Sequence, residues 1–130
     1  MENVKIAKKL VAVMNECSHV TKNGVNTFHN YKYATAEDVL HKVNEALTKN
    51  KLATVVQPNI ASFGDVTNLK GNTEHLATVI VKVSIIDSES GESVDLYGIG
   101  SGQDAGDKAV MKAQTAAIKY AYMMPVHCNW

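Results

Sequence analysis

Apolar residues recur at helical spacing over residues 3–17: Val4, Ala7, Leu10, Val11, Met14 and Cys17, with Lys5, Lys8, Lys9 and Glu16 mostly on the other side. This pattern predicts an amphipathic helix. Residues 18–34 are polar and turn-like, with Lys22-Asn23-Gly24 followed by Phe28, Tyr31 and Tyr33. Alternation across residues 29–33 predicts a short extended segment. Thr35 then reads as the N-cap of a second helix, with Glu37 and Asp38 in its first turn, where acids suit the helix dipole. Val39, Leu40, Val43, Ala46 and Leu47 form its apolar stripe, and Lys49 and Lys51 close it.

The pattern then changes to strands. Residues 52–57 read as one strand, stopped near Pro58, and 60–63 as a short second. Residues 64–72 read as a hairpin loop. Residues 76–87 form a long strand rich in Val and Ile, 88–92 turn at Gly91, and 93–99 return. Strands joined by short turns usually pair antiparallel, so the prediction is a β-meander. Gly98, Gly100, Gly102 and Gly106 then read as a glycine-rich link into a last helix over 104–124, ended by Pro125. The predicted fold is α+β: helix, helix, antiparallel β-meander, helix, with the helices packed on one face of the sheet. At 130 residues the chain is expected to be a single domain spanning 1–130.

Composition narrows the function. Thirteen Lys balance thirteen acids and there is no Arg, so a uniformly basic coat is excluded and any anion site uses ammoniums alone. The charge is uneven along the chain. Residues 1–51 hold eight Lys and five acids (+3), 52–104 two Lys and seven acids (−5), and 105–130 three Lys and one acid (+2). Basic ends flank an acidic middle. No apolar signal segment follows the first residues, and the longest apolar runs are far too short to span a membrane. Two cysteines, Cys17 and Cys128, form no CxxC pair, which fits a reduced cytoplasmic compartment.

The last helix carries the sharpest chemical pattern. At 100° per residue, Lys108, Lys112, Thr115, Lys119 and Tyr122 fall within about 80° of arc. Val110, Ala113, Ala117, Ile118, Ala121 and Met124 point the other way. Three ammoniums in a row can neutralise a nucleic-acid backbone and release its counterions, with Tyr122 as a stacking surface. The same pattern also describes an ordinary solvated helix face. Against that, no acid lies four residues from Lys112 or Lys119 to pair with it. The glycine-rich link matches neither a P-loop nor a dinucleotide fingerprint, and Asp104 and Asp107 suit a helix cap better than a phosphate site. Tyr31-Lys32-Tyr33 combines aromatics with a cation, as single-strand binding requires, but alternation of core and surface residues in a strand explains it equally. No catalytic motif is present. Cys17, His19, His127 and Cys128 would make a zinc site only if the chain ends met, and no spacing supports that. His41 and His75 read as isolated.

Residues 30–39, Asn-Tyr-Lys-Tyr-Ala-Thr-Ala-Glu-Asp-Val, closely resemble a signature of the ERF (essential recombination function) family of phage single-strand annealing proteins. Residues 102–109, Gly-Gln-Asp-Ala-Gly-Asp-Lys-Ala, and 112–121, Lys-Ala-Gln-Thr-Ala-Ala-Ile-Lys-Tyr-Ala, resemble the family's second signature. The resemblance covers residues 6–124, with the two motifs in the expected order around a strand-rich middle. It implies ATP-independent annealing of complementary DNA strands in phage or prophage recombination, inside the bacterial host cytoplasm. It implies kinship with the eukaryotic Rad annealing mediators, whose ring-forming domains carry a helix–meander–helix core. It implies a groove lined by the last helix and a hairpin, which holds the DNA backbone with the bases outward.

Carried over residue by residue, Lys119 matches a DNA-contacting basic position, Lys108 and Lys112 match basic or variable positions nearby, and Tyr33 falls where relatives have an aromatic near the groove. Relatives often have Arg after the Lys119 position, where this chain has Tyr120. The DNA-binding set expected from residues and resemblance together is Lys108, Lys112, Lys119, Lys32, Tyr33, Thr115 and Tyr122. The expected partners are single-stranded DNA, further copies of the chain in a ring or filament, and a host single-strand binding protein through the C-terminal tail that relatives commonly carry. No catalytic residue, metal, cofactor or membrane is expected. Strand 76–87 is expected to pair subunits by its edge. The alternatives are an oligomeric protein-interaction module that does not anneal DNA, and a nucleotide-phosphate enzyme using the glycine-rich link.

Overall fold

Val79, Val81, Val83 and Ile85 alternate with Ile80, Lys82, Ser84 and Ile86, and the first set is completely buried. Such alternation is what a strand produces when one sheet face meets a helical layer and the other does not. In a computed structural model this strand is the centre of a three-stranded antiparallel sheet, and the sheet is the frame for everything else. The structure describes residues 4–17, 24–26, 31–33 and 36–126, with side chains described over 4–17 and 37–122.

The elements run α1 (Val4–Cys17), β1 (Gly24–Asn26), β2 (Tyr31–Tyr33), α2 (Ala36–Lys49), β3 (Leu52–Thr67), β4 (Thr73–Asp87), β5 (Ser93–Asp104) and α3 (Ala109–Val126). β1 and β2 form a separate two-stranded ladder, with Val25 opposite Lys32 and Gly24 opposite Tyr33. The large sheet has the order β3-β4-β5. α3 packs on β5 and β4, and α1 and α2 pack beside it. The α+β architecture and element order follow the sequence pattern, with β1 as an unforeseen addition.

Several boundaries differ from the sequence reading. β3 does not stop at Pro58. It continues to Thr67, with Pro58 opposite Val81. An edge strand tolerates proline because the missing donor can face away from the ladder. Residues 58 and 59, expected as a break, are paired in register, and the strand's irregularity comes later, at a register shift between Ile60 and Ser62 that leaves Ala61 as an extra residue. The hairpin loop is correspondingly short, spanning residues 68–72. Gly98, Gly100 and Gly102 are not a link but the second half of β5, so α3 starts at Ala109 rather than at residue 104. α3 also runs one residue past Pro125, so the proline lies in the last turn and the helix ends just after it.

α1 buries Ile6, Val13 and Cys17, with Leu10 packed against them. Val4, Val11 and Met14, expected inside, lie on an exposed second stripe. Tertiary contacts chose between two apolar stripes that the sequence alone left nearly equivalent. α1 has no acid in its first turn. That role falls to the β4–β5 turn, where the Glu92 carboxylate accepts the Ile6 N–H at 2.8 Å. In the same turn Asp87, 1% exposed, and Glu89 take the Lys9 ammonium at 2.7 and 2.6 Å. The proposed Thr35 cap lies outside the described residues. At the other end of α2, Lys51 adopts φ +59°, a left-handed closing residue that turns the chain into β3.

Candidate nucleic-acid interface

Three glycines spaced by two on β5 meet four alanines spaced by four on α3. A Cβ on Gly98 would collide with the Ala117 carbonyl oxygen, one on Gly100 with the Ala113 carbonyl oxygen and the Ala117 nitrogen, and one on Gly102 with the Ala109 carbonyl oxygen. Ala109, Ala113, Ala117 and Ala121 are buried in this seam. Helix backbone therefore rests directly on strand backbone. From Gly98 to Gly102 the glycine-rich stretch is filled by α3 and leaves no space for a phosphate.

With its alanine side locked, α3 presents a fixed outer face. Lys108, Met111, Lys112 and Thr115 are exposed, and Ala116 and Lys119 are partly exposed. Met111, Lys112, Thr115, Ala116 and Lys119 line one shallow depression. The structure thus brings Lys112, Thr115 and Lys119 together, with Lys108 at the start of the same helix. The Lys119 ammonium lies 6.0 Å from the centre of the Tyr120 ring, within cation–π range.

Lys112 is also held at its other end. Its ammonium donates to Asp104 Oδ1 at 2.8 Å and to the Gln103 carbonyl at 3.1 Å. Asp104 Oδ2 accepts the N–H groups of Gly106 at 2.9 Å and Lys108 at 3.3 Å, which caps the start of α3. The Lys112 ammonium, then those two N–H donors, lower the Asp104 carboxyl to a pKa of about 2. Sequence spacing showed no acid four residues from Lys112. The acid is eight residues upstream, brought back by the turn between β5 and α3.

Tyr122 departs from the expected stripe. It is buried, and its hydroxyl shares a hydrogen bond with the Thr54 side chain on β3. Burial raises its pKa. It packs α3 onto the sheet, so it offers no stacking surface to a base.

Lys32 and Tyr33 lie in β2, opposite Val25 and Gly24, and their side chains are outside the described residues. His19, His127 and Cys128 also lie outside them, and Cys17 is buried in the core. Among the described residues, no three His, Cys, Asp or Glu side chains are grouped to hold a metal. His75 is not isolated as the sequence suggested. Its Nδ1 lies 2.8 Å from Asp65 Oδ1 and its ring stacks on Phe63 at 5.7 Å. Met111, Ala116, Gln103 and Asp104 are the site neighbours that sequence reasoning missed as such. The glycine alternation along β5 was the signal for how α3 seats.

A family model described as the ERF superfamily matches residues 6–125, nearly the whole chain. The chain belongs to the ERF superfamily. The matched region holds both signature segments and the whole of the sheet. At the level of the family, membership assigns this ERF chain to phage recombination and strand-annealing proteins, which generally are not catalysts. No curated protein matches the chain. No helix among the described residues is long and apolar enough to cross a membrane.

Proposed function

We propose that this ERF-superfamily chain binds single-stranded DNA and anneals complementary strands without ATP, in phage or prophage recombination within a bacterial host cytoplasm. The observation that carries the reading is the depression on α3, where Lys112, Thr115 and Lys119 share one face of a helix whose opposite side is seated on glycine. A helix so seated presents its ammoniums at fixed spacing, which suits a repeating phosphate backbone. Lys108 extends the track towards the helix start. Lys32, from the aromatic–cation pattern of Tyr31-Lys32-Tyr33, and Tyr33, which falls where relatives have an aromatic near the groove, join it in this proposal. The work is positional: the strand is held by its phosphates while its base edges remain open to a complement. No cofactor is required.

A few phosphate contacts per subunit give weak, salt-sensitive binding, so annealing calls for several subunits acting together. β4 cannot pair subunits by its edge, as residues 76–87 were expected to, because both its edges are already occupied. Among the described residues, the edges of this sheet belong to β3 and β5. β3 is exposed on both faces over nearly its whole length and shows Val55, Val56, Ile60 and Phe63 to solvent. Homo-oligomerisation through that edge, as a ring or filament, belongs to the same proposal.

The same apolar strand favours one alternative, an oligomeric protein-interaction module that does not anneal, or that docks a host single-strand binding protein. An annealing assay separates the two. Complementary strands are mixed with the full chain without nucleotide, and duplex formation is followed against the protein-free rate. Acceleration that disappears in high salt supports annealing. Folded oligomers with no acceleration at low salt favour the interaction module.

A further inference from the structure

α3 begins over Gly102, which is paired with Ala77, and Ala77 is paired in turn with Phe63. Two residues further along each strand, on the same face of the sheet, stand Asp104 on β5, His75 on β4 and Asp65 on β3. His75 is the direct cross-strand partner of both acids. The three form a row just past the start of α3, on the side of the sheet that carries the helices. Asp104 is fixed to that side, because its Oδ2 caps the N–H groups of Gly106 and Lys108.

The imidazole is the centre of the row. Its Nδ1 lies 2.8 Å from Asp65 Oδ1. An ionised carboxylate only accepts, so Nδ1 carries the proton and Nε2 is the nitrogen left to gain one. The Phe63 ring stacks on the imidazole with 5.7 Å between centres, which fixes its plane. The helical layer stops short of the row and leaves the His75 side chain 40% exposed. On the β5 side, Asp104 Oδ1 accepts the Lys112 ammonium at 2.8 Å. The charged groups about the imidazole are therefore Asp65 from β3, Asp104 from β5, Lys112 from α3, and the exposed Asp107 and Lys108 just before α3. Glu74 points to the opposite face, where Gln103 Nε2 donates to it at 2.6 Å. Asp65, His75, Asp104 and Lys112 together carry one net negative charge with a neutral imidazole and none with an imidazolium.

We propose that His75 makes the phosphate affinity of the α3 lysine face depend on pH near neutrality. The proposal rests on the DNA-binding reading above. Histidine changes charge in this range, and a cation between Asp65 and Asp104 offsets the field with which Asp104 holds Lys112. The Lys112 ammonium is then freer to pair with a phosphate, and the row no longer repels the strand. The coupling is reciprocal: a bound strand favours the protonated imidazole to the same extent.

The test is oligo-dT binding by fluorescence anisotropy at about pH 5.5 and about pH 8, at one ionic strength, for wild type, His75→Gln, His75→Lys and His41→Gln. Thymine does not titrate between these values. His41, 80% exposed on α2, is the control histidine. Wild type and His41→Gln should bind more tightly at the lower pH. In His75→Gln the ratio of the two affinities should be about threefold smaller. His75→Lys, which carries the charge throughout, should bind at the higher pH as wild type does at the lower. Equal ratios for wild type and His75→Gln overturn the proposal, as does an equal loss in His41→Gln or no gain in His75→Lys. Salt-sensitive wild-type binding at both pH values then leaves the DNA-binding reading intact. No salt-sensitive wild-type binding at either pH overturns both.

Discussion

The Asp104 carboxylate lies 2.8 Å from the Lys112 ammonium and at the same time caps α3 through the N–H groups of Gly106 and Lys108. One residue thus orders the helix start and competes with phosphate for the lysine. Asp104→Asn keeps a capping oxygen and removes the competing charge. Oligo-dT affinity at low salt should rise by about threefold, the scale of an exposed ion pair. Asp104→Ala should show the same electrostatic gain with a lower unfolding midpoint. Fluorescence anisotropy and urea unfolding on the two variants check this.

The glycine–alanine seam makes a second prediction. The Gly100 Cβ position lies 2.6 Å from the Ala113 carbonyl oxygen, and backbone cannot yield as a flexible side chain would. Gly100→Ala should cost about 1–3 kcal/mol through overpacking, or lift α3 from the sheet. Gly64→Ala is the control, since nothing lies within 4 Å of that position. Equal unfolding midpoints for the two variants would contradict the seam.

Acid stability should depend on Asp87. The Lys9 ammonium, opposed by burial and aided by the Glu89 N–H and the Ser90 hydroxyl, holds this carboxyl well below its ordinary value of 3.8. A depressed folded-state pKa means the stabilisation is complete above the ordinary value and is lost as pH falls through the lower one. Lys9 is raised above 10.5 by Asp87 and then Glu89, so its share is lost only as pH rises past that range. Stability from this pair should be flat from about pH 5 to 9 and fall below about pH 4. Asp87→Asn should be less stable at pH 7 and fall less steeply in acid, when urea midpoints are measured from pH 2 to 7. Asp104 and Glu89, both lowered, keep part of the acid limb in that variant.

The exposed strand makes a fourth prediction. Ile60 and Phe63 are 54% and 57% exposed on β3. Ile60→Lys/Phe63→Lys buries no new charge in the monomer, so its unfolding midpoint should stay close to wild type. Light scattering should show smaller particles for the variant if β3 joins subunits. Unchanged particle mass would place the subunit contact elsewhere.

The central fold was legible in the sequence because β4 and α2 carry periodicities that nothing competes with. α1 was read less well, since its two apolar stripes differ only in which one the β4–β5 turn pins through Lys9 and the Ile6 N–H. No break occurs at Pro58, because an edge strand lets proline pair without its donor, and the bulge at Ala61 left no mark in the strand pattern. The glycines of β5 suggested a loop by composition. Their spacing of two, set against alanines spaced by four, records a strand under a helix. For the site, the lysine spacing on α3 was visible, but the burial of Tyr122 depends on its contact with Thr54 of a distant strand, and the Asp104 contact depends on a loop.

The most direct test of the central claim is the salt dependence of oligo-dT binding, followed by anisotropy for wild type and Lys112→Ala/Lys119→Ala. Single strands give a slope of about −0.7 per neutralised phosphate, so removing two contacts should flatten the slope by roughly 1.4 per subunit, with the unfolding midpoint unchanged. Equal slopes for the two proteins would contradict the assignment of phosphates to this face of α3.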